Sequence, residues 1–490
     1  MPTEERRRFG RRLLEIASGP GVERTLAVVL GVVALGWCAM RFIGLDKVPY
    51  GLSTDETLAG LHVECLAQTG ATADGQRWPM FANGHGQGLY TPTYLYTLLV
   101  WTRLFGASIV SLRALSATFS IGAMLGIWLL VRRIVDARAA ALAVVAAALS
   151  PWSFQVARLA VDAPMAPMLL VFAVYLFLRS PRAPWAAAAG VVMVLAAYTY
   201  PPTRVQAPLL VIFLLVVERA RLDKARVAAF VGAMALTAAP LAIRLWSGQL
   251  MARSQASWIF SAEYIKANHG QLSTPIFLLK QVLENLFEHL RPSYLFFTGD
   301  ANLRHSTQIM GELGWLDILA LACFLLAGLF TLARAFRPQP GESTVPPSRV
   351  WLVAVCAIVA GACGTLPTAL CWEGLPHALR SMGAWPAVAV FTGSVLSVAW
   401  RRWPLVRLVV VVLALGQTAY FVPYYYRVYP KKSYGWWGDD LRAAADTRDP
   451  AAFAAVAREW DALGYRYYLT QMFGETCLQS RDHAARIGER

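Results

Sequence analysis

Charge is what this sequence has least of. Only 15% of its 490 residues are Asp, Glu, Lys or Arg, against 57% hydrophobic, and the mean hydropathy of +0.46 is well above what a soluble domain needs for its core. The deficit falls on apolar runs of roughly 17 to 25 residues that recur almost end to end, each long enough as a helix to cross about 30 Å of hydrocarbon. Dyad alternation is missing too, which excludes a membrane β-barrel and leaves helix as the form that satisfies the backbone in lipid. The basic excess, 45 Lys and Arg for a net charge of +15, is split into short clusters between apolar runs and builds no face of a soluble domain, so nucleic acid is not the expected partner. The seven cysteines lack metal-site spacing. Cys38, Cys323, Cys356 and Cys363 fall inside apolar runs as packing residues, while spacing leaves open whether any of Cys65, Cys371 and Cys477 pair. No small-residue cleavage site follows the first apolar run, which is therefore expected to stay as a span. Internal repeats and low-complexity tracts are absent.

What is there reads as an all-α polytopic membrane protein with about eleven spans, near 27–45, 110–131, 137–154, 163–179, 183–199, 203–218, 226–246, 313–336, 349–371, 381–400 and 404–423. Alternate connections carry the basic residues: Arg6 to Arg12, Arg132/Arg133/Arg138, Arg179/Arg182, Arg219/Arg221/Lys224/Arg226, Arg334/Arg337/Arg349 and Arg401/Arg402/Arg407. The positive-inside rule makes these cytoplasmic. Residues 46–109, the turns 155–162, 199–203 and 372–380, the long loop 247–312 and the tail from Tyr424 then face outward. Taking 91–106 as a span would put Arg132, Arg133 and Arg138 outside, so that stretch and 274–297 are expected to be interfacial helices. The organisation expected is an N-terminal membrane module, 1–246, with its first outer loop at 46–109; a long outer loop, 247–312; C-terminal membrane helices, 313–423; and a short outer tail, 424–490. RPQPGESTVPPSR, 337–349, reads as a linker.

The middles of the spans are nearly free of charge, whereas an ion-coupled transporter needs ionisable groups or broken helices near the midplane. Polar residues gather instead at the outer ends. Asp55 and Glu56 in GLSTDE point about 100° apart on a helix, so they have different tasks: one can cap a helix, the other can act as a general base. SPWSFQVARLAVD offers Arg158 and Asp162, either a local ion pair or site residues. YTYPPTR brings Tyr200 and Arg204, as interfacial anchors or ligands. EGLPHALR brings Glu373, His377 and Arg380, where His and Arg could grip a phosphate. GDANLRHSTQIMGE brings Arg304, His305 and Glu312. His85 sits in NGHGQG, which lacks the context of a phosphate loop and leaves a surface or a substrate role open.

GLSTDE after the first span, with SPWSFQVAR, AYTYPPTR, LRHSTQ and PHALRSMGAWP over about residues 25–425, resembles the GT-C fold glycosyltransferases of the protein O-mannosyltransferase and aminoarabinose transferase superfamily. The resemblance implies a donor sugar on a polyprenyl phosphate such as undecaprenyl phosphate, and an acceptor hydroxyl on a glycan, lipid or protein. It implies Asp55 as general base in an inverting transfer, with Glu56 orienting substrate. Arg380, Arg204, Arg304 and His377 would bind the donor phosphate, and Arg158, Asp162, His85, Tyr200, His305 and Glu373 would shape the site. RLAVD carries one carboxylate, which does not support a metal held by several acids; a divalent metal stays open, and no other cofactor is named. The expected setting is the inner membrane of a bacterium, with the active site outside. A lipid-linked sugar flippase and an oligosaccharide polymerase or ligase are the competing readings.

Overall fold

Helix dominates wherever the apolar runs predict it. The computed structural model describes residues 20–84, 89–246, 257–335, 349–457, 462–472 and 474–488; Arg6 to Arg12, His85, the start of the long outer loop at 247–256 and the linker at 337–348 lie outside the described residues. In chain order, α1 (Pro20–Met40) leads to the first outer loop, which holds α2 (Thr54–Thr69), a two-residue antiparallel pair, Ala82–Asn83 with Leu89–Tyr90, and α3 (Pro92–Phe105). The membrane helices then run as α4 (Ile109–Ile134), α5 (Ala137–Leu149), a short outer helix α6 (Pro151–Val156), α7 (Met165–Arg179), α8 (Ala183–Ala197), α9 (Thr203–Glu218) and α10 (Lys224–Trp246). The long outer loop contributes α11 (Ala262–Asn268) and α12 (Thr274–Glu288), and the chain returns through α13 (Trp315–Ala335), α14 (Arg349–Ala369), α15 (Trp385–Arg402) and α16 (Pro404–Arg427). The tail adds α17 (Asp439–Asp446), α18 (Pro450–Ala457), α19 (Ala462–Met472) and α20 (Cys477–Gly488).

Every expected span thus coincides with a helix. Among the described residues, six helices are long and apolar enough to cross a membrane by length and composition: α1, α4, α10, α14, α16, and α15 with the 3₁₀ turn before it; α5, α7, α8 and Trp315–Thr331 of α13 are shorter apolar helices. One expected boundary moves. The run 137–154 breaks at Ser150, whose hydroxyl accepts from the Ser153 amide to start α6, with Pro151 in its first turn. Proline has no N–H to continue α5, so the chain turns over the outer end there.

The main packing layer sets α5 against α15, α15 against α14, and α4 against α7, with α7, α8 and α10 side by side. Small residues allow the closest of these approaches. A Cβ on Gly393 of α15 would lie 2.5 Å from the Ala139 carbonyl oxygen of α5.

Charges separate to the two ends of the bundle. At one end Glu23 pairs with Arg138 and Arg407, and Asp136 with Arg401, so basic loops distant in sequence meet. At the other end the tail folds back over the first outer loop. α19 packs on α2, where a Cβ on Gly60 would meet the Tyr467 ring at 2.5 Å, and Arg466 donates to the Ala73 carbonyl. Cys65 of α2 and Cys477 of α20 form a disulfide across 412 residues of chain. Cys371 remains a buried free thiol.

Candidate functional site

Both readings of the Asp-Glu pair find a place at the start of α2. Ser53 caps the helix: its hydroxyl accepts from the Glu56 amide and its own amide donates to the Glu56 carboxylate at 2.9 Å, a closed capping box. Of the two carboxylates, Glu56 is therefore the one that closes the capping box. It is also fully buried and accepts from Arg113 Nε at 2.9 Å, Arg113 Nη2 at 3.2 Å and the Ala160 amide at 2.9 Å. Burial works against its ionisation, but Arg113 and these hydrogen bonds hold it below its ordinary 4.5. Both Glu56 oxygens are thus engaged inside the protein, as in an internal strut, where the resemblance implied a residue that orients substrate. Arg113 spends its remaining donors on the carbonyls of Leu45, Pro49 and Gly51, so one buried ion pair fixes the whole approach to Asp55.

Asp55 stands beside this strut with its carboxylate uncommitted. It is half-buried, and among the described residues nothing hydrogen-bonds or ion-pairs with its carboxylate; only its main-chain oxygen is held, by the Tyr90 hydroxyl at 2.7 Å. Tyr94 of α3 lies in the same pocket of charge. Its hydroxyl is buried without a partner among the described residues, and burial followed by Asp162, Glu56 and Asp55 raises its ionisation well above the usual range. Tyr94 and Arg113 were not expected as site residues. A Tyr and an Arg inside apolar segments give no spacing signal, although an uncompensated Arg within the second span was the clue to a buried partner.

Arg204, at the start of α9, completes this group. Among the described residues its Nε and Nη2 are buried with no hydrogen-bond partner, and Asp162 is the carboxylate within its electrostatic reach. Tyr200 is half-buried and its carbonyl takes the Thr203 amide, closing the turn that presents Arg204.

Arg158 does not join them. Residues 158–162 leave the helix after Val156, so the four-residue spacing does not put Arg158 and Asp162 on one face. Arg158 is fully buried, donates to the carbonyls of Met40, Gly44 and Val48 and to the hydroxyls of Tyr425 and Tyr426, and lies over the Tyr425 ring. It staples the end of α1 to α16, and its donors are spent within the protein.

A second group forms where the long loop meets the turn before α15. Asp300 accepts from His305 Nδ1 at 2.9 Å, the Ala378 amide at 2.8 Å and the Asn302 amide at 2.8 Å. His305 and His377 stack with ring centroids 4.6 Å apart. Burial, then His305, Arg380 and His289, hold His377 well below its ordinary 6.5. Glu312 is buried and its ionisation is raised well above 4.5 by burial and by Asp300; it accepts from the Asp300 amide. Arg304 commits Nε to the Trp436 carbonyl, and Arg380 commits Nη1 to the carbonyl of Glu373, whose own side chain is exposed. α6 packs on the second group, where Gln155 donates to the Arg304 carbonyl and Trp152 to the Ala378 carbonyl.

An apolar groove of about 560 Å³ runs between α4, α7, α9, α14 and α15. Arg133, Arg221 and Arg349 line one end. Gln206, two residues after Arg204 on α9, and Gly383 line the other.

These features define a polytopic α-helical membrane protein with a polar, arginine-bearing site at one end of the bundle and an apolar groove between its helices. Residues 90–243, under a third of the chain, match the family described as dolichyl-phosphate-mannose-protein mannosyltransferase, and over that segment the expected resemblance to GT-C glycosyltransferases is borne out. The chain has no significant match among curated proteins. Among solved structures it is similar to ArnT from Cupriavidus metallidurans bound to undecaprenyl phosphate, at 14% identity over 94% of this chain and 74% of that one, TM-score 0.45. It is also similar to the archaeal oligosaccharyltransferase AglB from Archaeoglobus fulgidus in complex with an inhibitory peptide and a dolichol-phosphate, at 15% identity over 92% of this chain and 60% of that one, TM-score 0.46. The chain thus spans about 60% of the archaeal enzyme's length.

Proposed function

We propose that this protein is an integral-membrane glycosyltransferase that moves a hexosyl or pentosyl group from a polyprenyl-phosphate donor to an acceptor hydroxyl at the outer face of the membrane. The observation that carries the proposal is that, among the described residues, Nε and Nη2 of Arg204 are buried without a hydrogen-bond partner, two residues before Gln206, which lines an apolar groove. Buried donors without acceptors are costly, and an anionic head group with a long apolar tail would supply the acceptors and fill the groove. The family match over residues 90–243 supports the same donor class.

The chemistry follows from what each side chain has free. Asp55 has an uncommitted carboxylate, as a base that takes the acceptor proton requires. The deprotonated oxygen then attacks the anomeric carbon opposite the phosphate, inverting the configuration. Phosphate leaves without a general acid but gains negative charge, which Arg204 stabilises, with Arg380 and Arg304 flanking the site. Tyr94, kept protonated, holds a hydroxyl between the carboxylates for the acceptor. The Cys65–Cys477 disulfide favours an oxidising compartment for this face, consistent with an extracytoplasmic site in a bacterial inner membrane.

The test is transfer or hydrolysis of sugar from a panel of radiolabelled undecaprenyl-phosphate sugars by the purified protein. One sugar should be released or transferred, and Asp55→Asn should lower that rate by about 10²- to 10⁴-fold while donor binding persists. Equal rates in wild type and variant would remove Asp55 from the role of base. Movement of the intact lipid across vesicles with no sugar released would replace the transferase with a flippase.

A further inference from the structure

We infer that Asp300, His305 and His377 form a binding site for a transition-metal dication of the zinc class, joining the long outer loop to the turn before α15. One ligand atom from each of the three lies within 4.8 Å of the other two. Asp300 Oδ2 is 2.9 Å from His305 Nδ1 and 3.9 Å from His377 Nδ1. These separations straddle the roughly 3.3 Å expected between neighbouring ligands of a tetrahedral ion with bonds of about 2.0–2.1 Å. Two imidazoles and one carboxylate suit zinc or cobalt, whereas magnesium and calcium favour oxygen donors.

The surroundings hold these donors in place from outside. Main-chain amides of Asn302 and Ala378 orient the Asp300 carboxylate, and the His377 amide donates to His289 Nε2 at 3.2 Å. Such outer contacts are what keep metal ligands aimed. Other histidines differ in kind. His62 uses both ring nitrogens on the Asn83 carbonyl and the Ala73 amide, and is a satisfied core residue. His305 Nδ1 meets Asp300, and His377 Nδ1 accepts from the Arg380 amide at 3.3 Å; among the described residues neither Nε2 is hydrogen-bonded. The two rings are stacked, at 26° between planes. Ligation through His305 Nδ1 would move the proton it gives to Asp300 onto its Nε2, ligation through His377 Nδ1 would displace the Arg380 amide, and a fourth position would be left for water. The site is distinct from the expectation of a metal held by several acids: it uses one carboxylate, from a different loop.

The experiment uses the full chain, untagged, purified in detergent, stripped with chelator and dialysed against Zn²⁺ alone, with bound metal counted by mass spectrometry. About one zinc per chain is expected, undisplaced by excess Mg²⁺. His305→Gln and His377→Gln should each weaken zinc binding by more than about 10-fold, and His269→Gln, which alters a histidine elsewhere, should not. Cobalt substitution should give a visible absorption band in wild type that both variants lose. Asp300→Asn also removes acceptors for two main-chain amides, so the two histidine variants decide the matter if that protein fails to fold. No zinc on wild type, or undiminished loading of both histidine variants, would overturn the inference.

Discussion

Neighbouring carboxylates with opposite fates show how far single residues can be read. That Asp55 and Glu56 must differ follows from helix geometry alone, and the capping residues around them were visible in GLSTDE. Which one caps was not, because the deciding partner, Arg113, lies 57 residues away inside an apolar run. The same limit explains Arg158: its spacing from Asp162 suggested a local pair, whereas its partners come from residues 40–48 and 425–426. Glu56→Gln should leave Arg113 as an uncompensated buried charge and cost about 3–5 kcal/mol of stability. The pH dependence has a definite sign. Glu56 is depressed in the folded protein from its ordinary 4.5, so its stabilisation is complete above about pH 4.5 and is lost as pH falls below it through the folded value. Thermal unfolding in detergent from pH 7 down to 3 should show wild type losing stability over that acid range, and the variant starting lower and changing less. Equal slopes would remove the strut from the account.

Membrane helices were the most legible elements, since length and lack of charge suffice to find them and neither depends on tertiary contacts. The two helices expected at the interface were legible by different signals, the pattern of basic loops for 91–106 and charges interrupting apolar positions for 274–297, and α3 and α12 form as helices at those places. The break between α5 and α6 was written in Ser150-Pro151 yet hidden by the unbroken hydropathy around it. Helix pairing was not legible. α5 reads as a featureless alanine-rich run, ARAAALAVVAAAL, but those alanines let α15 approach until Gly393 touches its backbone. Gly393→Val should force these two helices apart and cost about 1–3 kcal/mol, measured as a lower unfolding temperature in detergent. Gly328→Val, at a position where an added Cβ meets nothing within 4 Å, is the matched control and should change little.

Parity connects the topology of the molecule as a whole to one covalent bond. Cys65 and Cys477 must lie on the same side of the membrane, so an even number of crossings separates them. The helices between them that coincide with expected spans, α4, α5, α7 to α10 and α13 to α16, make ten. Moving α3 into the membrane would break this count as surely as it breaks the pattern of basic loops. Thiol titration of the unfolded, unreduced protein should find five cysteines, Cys38, Cys323, Cys356, Cys363 and Cys371, and reduction should raise the number to the full seven. Seven before reduction would mean the bond is not formed.

The contact of α19 and α20 with α2 also orders events during synthesis. A ribosome delivers α2, with the proposed base at its first turn, some four hundred residues before the segment that covers it. Until the last membrane helix has been threaded and the tail has reached the side that holds α2, the Tyr467 side of α2 stays bare. The most N-terminal part of the site is therefore the last to be sheltered, and a chain stalled anywhere before the tail would expose it to whatever chaperone or protease patrols that face.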